Sequence, residues 1–348
     1  MMFISLISFL TAFIGTYYVM PHSIRKLKQR GYVATDMYKE NKPEIATNAG
    51  IIVLFISYIT ISFIPVYSRV LSFVGLGEER FYDLDELNFA FLLVVSIFAL
   101  YGLVDDLVDI GRKMKLFFPI AFSFPLITVI SPDFIWLPFA GNISLSGDLV
   151  VGITLNDLFR FTIIPIYVMV VSNLVNMHSG YNGLQSGLSI LLLATLCIKL
   201  FSTSNTQMLP IALTFLGSMI AFWFFNFFPA KVFEGNIGSL LFGSILGSLI
   251  AVEELWWFGF FILIPHTFNF ALWILWIYLM IKDPLGYTNV EGSHSKFGSL
   301  NSDGTIKVPN RLTLKWIPNY YFNLSERDST LFSYSITSTF CILALVFF

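Results

Sequence analysis

Stretches of roughly twenty apolar residues, the length that crosses the hydrocarbon of a bilayer, recur along this chain with short polar segments between them. They fall at about 2–20, 49–67, 87–104, 115–131, 158–176, 184–201, 208–228, 237–252, 256–281 and 329–348. The pattern predicts an all-α polytopic membrane protein of about ten transmembrane helices, with 1–348 forming one integral membrane unit. Pro265 and His266 interrupt the ninth span, and backbone groups freed by such a break must face protein or water. Two polar stretches follow another period. Residues 135–155 alternate Ile143, Leu145, Leu149 and Val151 around Ser146–Gly147, which predicts a short β-hairpin. In the 282–328 segment Asp303–Gly304 separates two short runs, again a hairpin signal, so this long loop is expected to be folded.

Composition removes the soluble alternatives. The chain is 56% hydrophobic, 17% aromatic and only 12% charged, with a mean hydropathy of +0.76, far outside the range of a soluble globular domain. A net charge of −2 gives no ground for expecting nucleic acid. The two cysteines, Cys197 and Cys341, lie inside apolar stretches, so neither a disulfide framework nor a cysteine metal site is expected. No basic segment precedes residues 2–20 and PHSIRKLKQR follows them, so they read as a retained span rather than a signal peptide. Sixteen of the 20 Lys and Arg residues fall in loops after odd-numbered spans; Arg69, Arg80, Arg160 and Lys199 fall on the other side. The positive-inside rule then predicts both termini outside, the 135–155 hairpin outside, and the loops 21–48, 105–115, 177–187, 229–237 and 282–328 cytoplasmic.

Candidate chemistry gathers in those loops. In YGLVDDLVDIGRKMKLFFP, residues 101–119, Asp105, Asp106 and Asp109 close one span and Arg112, Lys113 and Lys115 open the next. Burying such charges in lipid would cost several kcal/mol each, on the order of 3, so they belong at a membrane surface. At helical spacing Asp105 and Asp109 share a face with Asp106 beside them, which suits a magnesium ion and the phosphates it bridges; a solvated helix end would look the same. SNLVNMHSGYNGLQSG sets Asn173, Asn176 and Asn182 among Gly180, Gly183 and Gly187, and NFFPAKVFEGNIGSLLFG holds Asn226, Phe233, Gly235 and Asn236. Amides offer donors and acceptors, and glycine lets backbone approach a ligand. Asn and Gly also cap helices and pack spans together, but three polar clusters in alternate loops on one face point to a shared site.

Together these motifs resemble the signature loops of the polyprenyl-phosphate N-acetylhexosamine-1-phosphate transferases, glycosyltransferase family 4. The form NxxNxxxGxNGLxxG, the NFFPAKVFEGNIG stretch and IPHTFNF at 264–270 are closest to the dolichyl-phosphate N-acetylglucosamine-1-phosphate transferase branch of archaea and eukaryotes. The resemblance implies that Asp105 and Asp106 are the family's paired aspartates and that Lys115 meets phosphate. It also implies that Asn173 and Asn176 are the asparagine pair, the second a magnesium ligand, and that Asn182 and Gly183 lie at the uracil on which Phe233 stacks. One departure is Asn236, which stands where the family has an aspartate metal ligand, so that either metal affinity is lower or Asp105, Asp106 or Asp109 supplies the anion. Another is the last loop, where His294–Ser295–Lys296 replaces an arginine–histidine–arginine cluster and the pyrophosphate contact passes to His294, Lys296 or Arg311.

The implied reaction moves N-acetylglucosamine-1-phosphate from UDP-N-acetylglucosamine to a polyprenyl (dolichyl) phosphate and releases UMP, the first lipid-linked step of glycan assembly in protein N-glycosylation. Magnesium, with manganese as a substitute, is the implied cofactor. The nucleotide sugar, the lipid phosphate and the bilayer are the implied partners, with a homodimer as one assembly option. An archaeal plasma membrane and an endoplasmic-reticulum membrane both fit. Three rivals were weighed: a magnesium-dependent membrane prenyltransferase, which needs a second acidic motif; a transporter, whose polar residues would line the midplane; and a non-catalytic homologue, favoured by Asn236.

Overall fold

The structure, a computed structural model, describes residues 1–76, 81–111, 114–137, 140–150, 152–203, 207–282 and 297–348. Its helices are α1 (Met2–Gln29), α2 (Gly50–Ser62), α3 (Ile64–Phe73), α4 (Glu86–Val108), α5 (Met114–Phe122), α6 (Phe124–Ile127), α7 (Leu155–Leu158), α8 (Ile164–Met177), α9 (Leu184–Ser202), α10 (Leu209–Asn226), α11 (Gly235–Val252), α12 (Trp256–Ile262), α13 (Ile264–Lys282), α14 (Ile317–Tyr321) and α15 (Glu326–Phe347). Among the described residues nine helical stretches are long and apolar enough to span a membrane. This is an all-α polytopic membrane fold.

The helix breaks have a common cause. Phe63, Ser123 and Leu263 separate α2 from α3, α5 from α6 and α12 from α13, and each lies two residues before a proline, Pro65, Pro125 or Pro265. Proline has no N–H to give the preceding turn and its ring crowds the carbonyl four residues back. The expected fourth span, 115–131, is the one most changed by this. Its helical part, Met114–Ile127, is about 20 Å long at ~1.5 Å per residue, short of a full crossing. The Ile127 carbonyl left at its end accepts from Arg160 Nε at 2.9 Å, so the missing backbone partner is replaced by a guanidinium. α4 starts more conventionally, with a reciprocal pair in which Asp85 accepts from the Asn88 N–H at 3.0 Å and Asn88 Oδ1 from the Asp85 N–H at 3.2 Å.

α11 is the axis of the bundle. Eighty-three per cent of its apolar window is buried, and α2, α4, α8 and α9 pack around it, which explains a sequence that is apolar on all sides. Small residues let those neighbours close in: a Cβ on Gly243 would lie 2.6 Å from Ser172 Cα of α8. Without a hydrophobic force between helices in lipid, this close packing is a main source of association.

The C-termini of α4, α8 and α10 and the N-termini of α2, α9, α11 and α15 meet at one end, termed here the site end. Phe13 and Tyr17 of α1 meet Phe224 and Phe225 of α10, so α1 runs toward the site end with α10. Phe348 accepts from Lys199 Nζ at 2.6 Å at the opposite end. Both termini therefore lie away from the site. With the short α5–α6 and the broken α12–α13 taken as one segment each, the described residues hold ten segments in the order of the hydropathy pattern, nine of them long enough to span a membrane.

The small sheets depart from expectation in detail. The single hairpin around Ser146–Gly147 is two: β3 (Phe134–Leu137) pairs with β4 (Gly141–Ser144), and β5 (Asp148–Val150) with β6 (Ile153–Thr154). Ser146–Gly147 is the link between them, because the alternation of apolar residues cannot say where the chain reverses. At the site end Val33–Thr35 pairs with Glu44–Ala46, a hairpin not anticipated. Ser299–Leu300 pairs with Ile306–Lys307 across the Asp303–Gly304 turn as expected, and Asp303 holds that turn by accepting from the Thr305 N–H at 2.9 Å.

Candidate functional site

The end of α4 and the start of α11 are joined by one side chain. Asp106 accepts from the backbone N–H groups of Asn236 at 3.0 Å and Ile237 at 3.1 Å, two donors that the first turn of a helix leaves without intrahelical partners. The Asn236 side chain adds a further hydrogen bond to Asp106. Asp105, one position earlier, turns the other way: it is buried, forms an ion pair with Lys115 Nζ at 2.8 Å, and accepts from the Ile110 N–H at 2.9 Å. α4 stops there because Asp109 adopts the left-handed conformation, φ 50°. This overturns the shared helical face expected for Asp105 and Asp109. The Asp109 side chain is 99% exposed and reaches Lys115 only at 4.0 Å.

Above this junction lies a cavity of about 320 Å³. Asp106, Asn182, Phe233 and Asn236 of the predicted set line it, together with Asp36, Tyr38, Gly180, Tyr181, Gln185 and Glu234. Three motifs far apart in sequence thus converge on one space. Phe233 is held there by its backbone, its N–H donating to the Ala46 carbonyl at 2.8 Å and its carbonyl accepting from the Ala49 N–H at 3.1 Å. Gly183 opens α9 at φ 72°, where a Cβ would collide with Phe227, and its carbonyl accepts from the Tyr334 hydroxyl.

Other predicted residues lie outside the cavity wall. Asn173 turns back on its own helix, Nδ2 donating to the Met169 carbonyl at 2.9 Å. Asn176 sits half-buried at the end of α8, where its carbonyl accepts from Ser179. Arg311 belongs to a separate cavity of about 660 Å³ beside Leu275 and Tyr320, and donates to the Tyr321 hydroxyl at 2.5 Å. His294 and Lys296 fall outside the described residues, as do Arg112 and Lys113.

The structure adds residues with no distinctive sequence signal. Lys39 pairs with Asp36 at 3.2 Å and with Glu326 at 2.5 Å, tying the first loop to the first turn of α15. In sequence Lys39 was one cation among sixteen and Glu326 an ordinary acidic residue at a helix start. Lys315 donates to the Ser179 carbonyl at 2.8 Å; burial pushes its ammonium down to about 8, opposed by the charge of Glu326. Gln185 joins α8, α9 and α11, donating to the Val175 carbonyl and accepting from Ser239, both at 2.9 Å. His178 is buried beside His266 with ring centroids 4.6 Å apart. Burial first, then the nearby His266 and Lys315, hold His178 well below the usual imidazole range, so it is neutral.

Glu234 accepts from Asn226 Nδ2 at 3.0 Å, and burial pushes its carboxyl up to about 7. The folded protein therefore holds this proton more tightly than the unfolded chain, and the stability it contributes is complete below about 4.5 and lost as pH rises toward 7. Thermal unfolding of wild type and Glu234→Gln across pH 5 to 8, a range of roughly three units about these values, is expected to show a flatter pH dependence in the variant. Equal slopes would remove Glu234 as the source.

The profile of Glycosyl transferase family 4 matches residues 88–253, which run from the start of α4 to the end of α11. A Saccharolobus solfataricus protein, provisionally named a UDP-N-acetylglucosamine–dolichyl-phosphate N-acetylglucosaminephosphotransferase, is 31% identical over 314 residues, covering 88% of this chain and 85% of that one. The chain belongs to glycosyl transferase family 4. A Sulfolobus acidocaldarius protein of the same provisional name is 28% identical over 348 residues, 98% of this chain and 95% of the relative. A phospho-N-acetylmuramoyl-pentapeptide-transferase of Lactobacillus gasseri is 27% identical over 260 residues, 70% and 75% of the two chains. This family member is a phosphosugar transferase embedded in the membrane. Among its described residues no three His, Cys, Asp or Glu side chains form a metal cage.

Proposed function

We propose that this transferase moves N-acetylglucosamine-1-phosphate from UDP-N-acetylglucosamine to a polyprenyl (dolichyl) phosphate, releasing UMP, at the cytoplasmic face of an archaeal plasma membrane. The observation that carries the reading is the single cavity in which Asp106, Asn182, Phe233 and Asn236 converge. The provisional names of the two archaeal relatives agree with it. An apolar groove of about 330 Å³ supports the lipid side of the reaction. It runs along α8 against α12 and α13, past Tyr167, Val170, Phe260 and Phe270, and reaches Leu174 at the site end, where Asn173 and Asn176 follow.

The chemistry asked of the protein is positioning. A phosphate monoester has a second pKa of about 6, so the lipid phosphate arrives ionised and needs no strong base. One of its oxygens forms a bond to the sugar-linked phosphorus of the donor while the bridging bond to the UMP oxygen breaks. On this reading Phe233 offers a stacking face for the base, Asn182 and the backbone around it hold the base edge, and Asp106 supplies the carboxylate for the phosphate end of the donor. The donor set suits magnesium. The two backbone N–H groups and the Asn236 side chain leave Asp106 one carboxylate lone pair, and the Asn236 amide oxygen lies beside it, a set that suits a hard cation that takes one or two carboxylates and completes its shell with substrate phosphates. Magnesium bound there by Asp106 and Asn236 would neutralise charge on the diphosphate. Lys115, paired with Asp105, is a cation on the α5 side among the described residues.

Release of UMP from UDP-N-acetylglucosamine by purified protein, strictly dependent on added polyprenyl phosphate, tests the reading; UMP release without acceptor, or none with it, rejects it. Orientation is tested separately. Cysteines introduced in 21–42 and 282–328 are expected to react with impermeant reagent from the cytoplasmic side, and cysteines in 135–155 only from outside. The reverse pattern would remove the site from the compartment that holds nucleotide sugars.

A further inference from the structure

The side-chain amide of Asn182 has one orientation open to it. Its Oδ1 lies 2.9 Å from the backbone nitrogen of Ala230 and 3.2 Å from Lys39 Nζ. A backbone N–H and an ammonium are donors only, so the amide carbonyl must face them. Turning the amide over would set its NH₂ against two donors, one of them charged. The Nδ2 protons therefore lie on the other side. Asn182 is in the cavity wall, and among the described residues no protein acceptor takes those protons.

Lys39 is itself fixed. Glu326 and Asp36 hold its ammonium, the Phe228 ring lies 4.4 Å away, and the second Glu326 oxygen accepts from the Asn182 N–H at 2.6 Å. One carboxylate thus fixes the backbone of Asn182 and, through Lys39, the direction of its side chain. We propose that Lys39, held by Glu326, is a specificity-determining positioning residue that locks Asn182 as a hydrogen-bond donor into the cavity, so that the site accepts a base with a ring carbonyl there and rejects one with an amino group. On the nucleotide-sugar reading, on which this rests, that is selection of uracil over cytosine. Cytosine would present its amino donor to the Asn182 donor, and neither would find an acceptor in the other. A site built to hydrogen-bond one edge rejects an analogue lacking it much more strongly than an apolar pocket does.

The test is competitive binding of UMP and CMP to the full-length protein in nanodiscs. Wild type is compared with Lys39→Arg, Lys39→Met and the double variant Lys39→Met/Glu326→Gln. The double variant removes the buried Glu326 carboxylate together with its cation, which confines the main hazard of the single change to Asp36. Wild type is expected to prefer UMP by about tenfold or more, and Lys39→Arg to keep most of that preference. Lys39→Met and the double variant are expected to lower the ratio several-fold, the Ala230 N–H keeping part of the amide's orientation, with the donor KM raised and kcat little changed. A wild-type ratio in both Met-containing variants overturns the inference and leaves the nucleotide-sugar reading standing. No preference for UMP in wild type overturns both.

Discussion

Asp106→Asn is expected to lower kcat by at least ~100-fold, the scale on which a single preorganised polar group at a reacting centre acts, and, because Asp106 is the charged group of the proposed magnesium site, to raise the magnesium concentration for half-maximal rate. The substitution keeps the shape and removes the charge facing the cavity. It also has a structural cost that can be anticipated. Asp106 accepts from both Asn236 N–H and Ile237 N–H, whereas an amide can accept with only one of its two atoms. One N–H of the first turn of α11 then loses its partner, at about 1 kcal/mol, so a small fall in Tm should accompany the loss of rate. Donor binding and unfolding measured beside turnover separate the two effects. Phe233→Ala should do the reverse, raising KM by about tenfold or more through lost base stacking with kcat largely kept. Wild-type kcat in Asp106→Asn would remove Asp106 from the acceptor and phosphate chemistry altogether.

Asn236→Asp is expected to lower the magnesium concentration for half-maximal rate by about tenfold. The wild-type site presents one charged ligand, Asp106, beside a neutral amide. Two unit charges ~4 Å apart interact by about 4 kcal/mol at an effective dielectric of 20. A second carboxylate would attract a divalent ion more strongly than that and repel Asp106 by a comparable amount, leaving a net gain. In the absence of magnesium only the repulsion remains, so the variant should be less stable than wild type without metal and recover when metal is added. The alternative, that Asp109 already supplies the missing charge, conflicts with its geometry. It lies in the left-handed cap of α4 with its side chain 99% exposed and has no place in the cavity wall. Magnesium titrations of wild type, Asn236→Asp and Asp109→Asn decide the point. The expected order is a gain in the first variant and no change in the second; no gain in Asn236→Asp, with a large loss in Asp109→Asn, would overturn it.

The number of crossings was legible in the chain because every pass needs a run of apolar residues, whatever its neighbours are. The breaks were partly legible as well. Pro65, Pro125 and Pro265 act through their own missing N–H groups, a local effect that needs no tertiary context. Motif spacing pointed to loops that the structure brings together at one cavity, since the order of Asp, Asn, Phe and Gly positions can be read without knowing how the helices pack. What the sequence could not determine was which way each polar side chain turns. Asp105 and Asp106 are adjacent and chemically identical. One is buried against Lys115 and the other caps α11 in the cavity wall, because α11 begins beside one face of α4 and the returning α5 passes the other. Asp109 was misplaced because helical spacing was carried one residue past the point where α4 ends in a left-handed turn. Lys39 and Glu326, 287 positions apart, gave no local signal of their contact with Asn182. That contact exists only because α1, α9 and α15 deliver their ends to the same side of the bundle. The sequence by itself determined a membrane transferase with its chemistry on one face. The tertiary structure decided which carboxylate faces the cavity and which hydrogen-bond polarity Asn182 presents to a ligand, because both depend on partners supplied by helices distant in the chain.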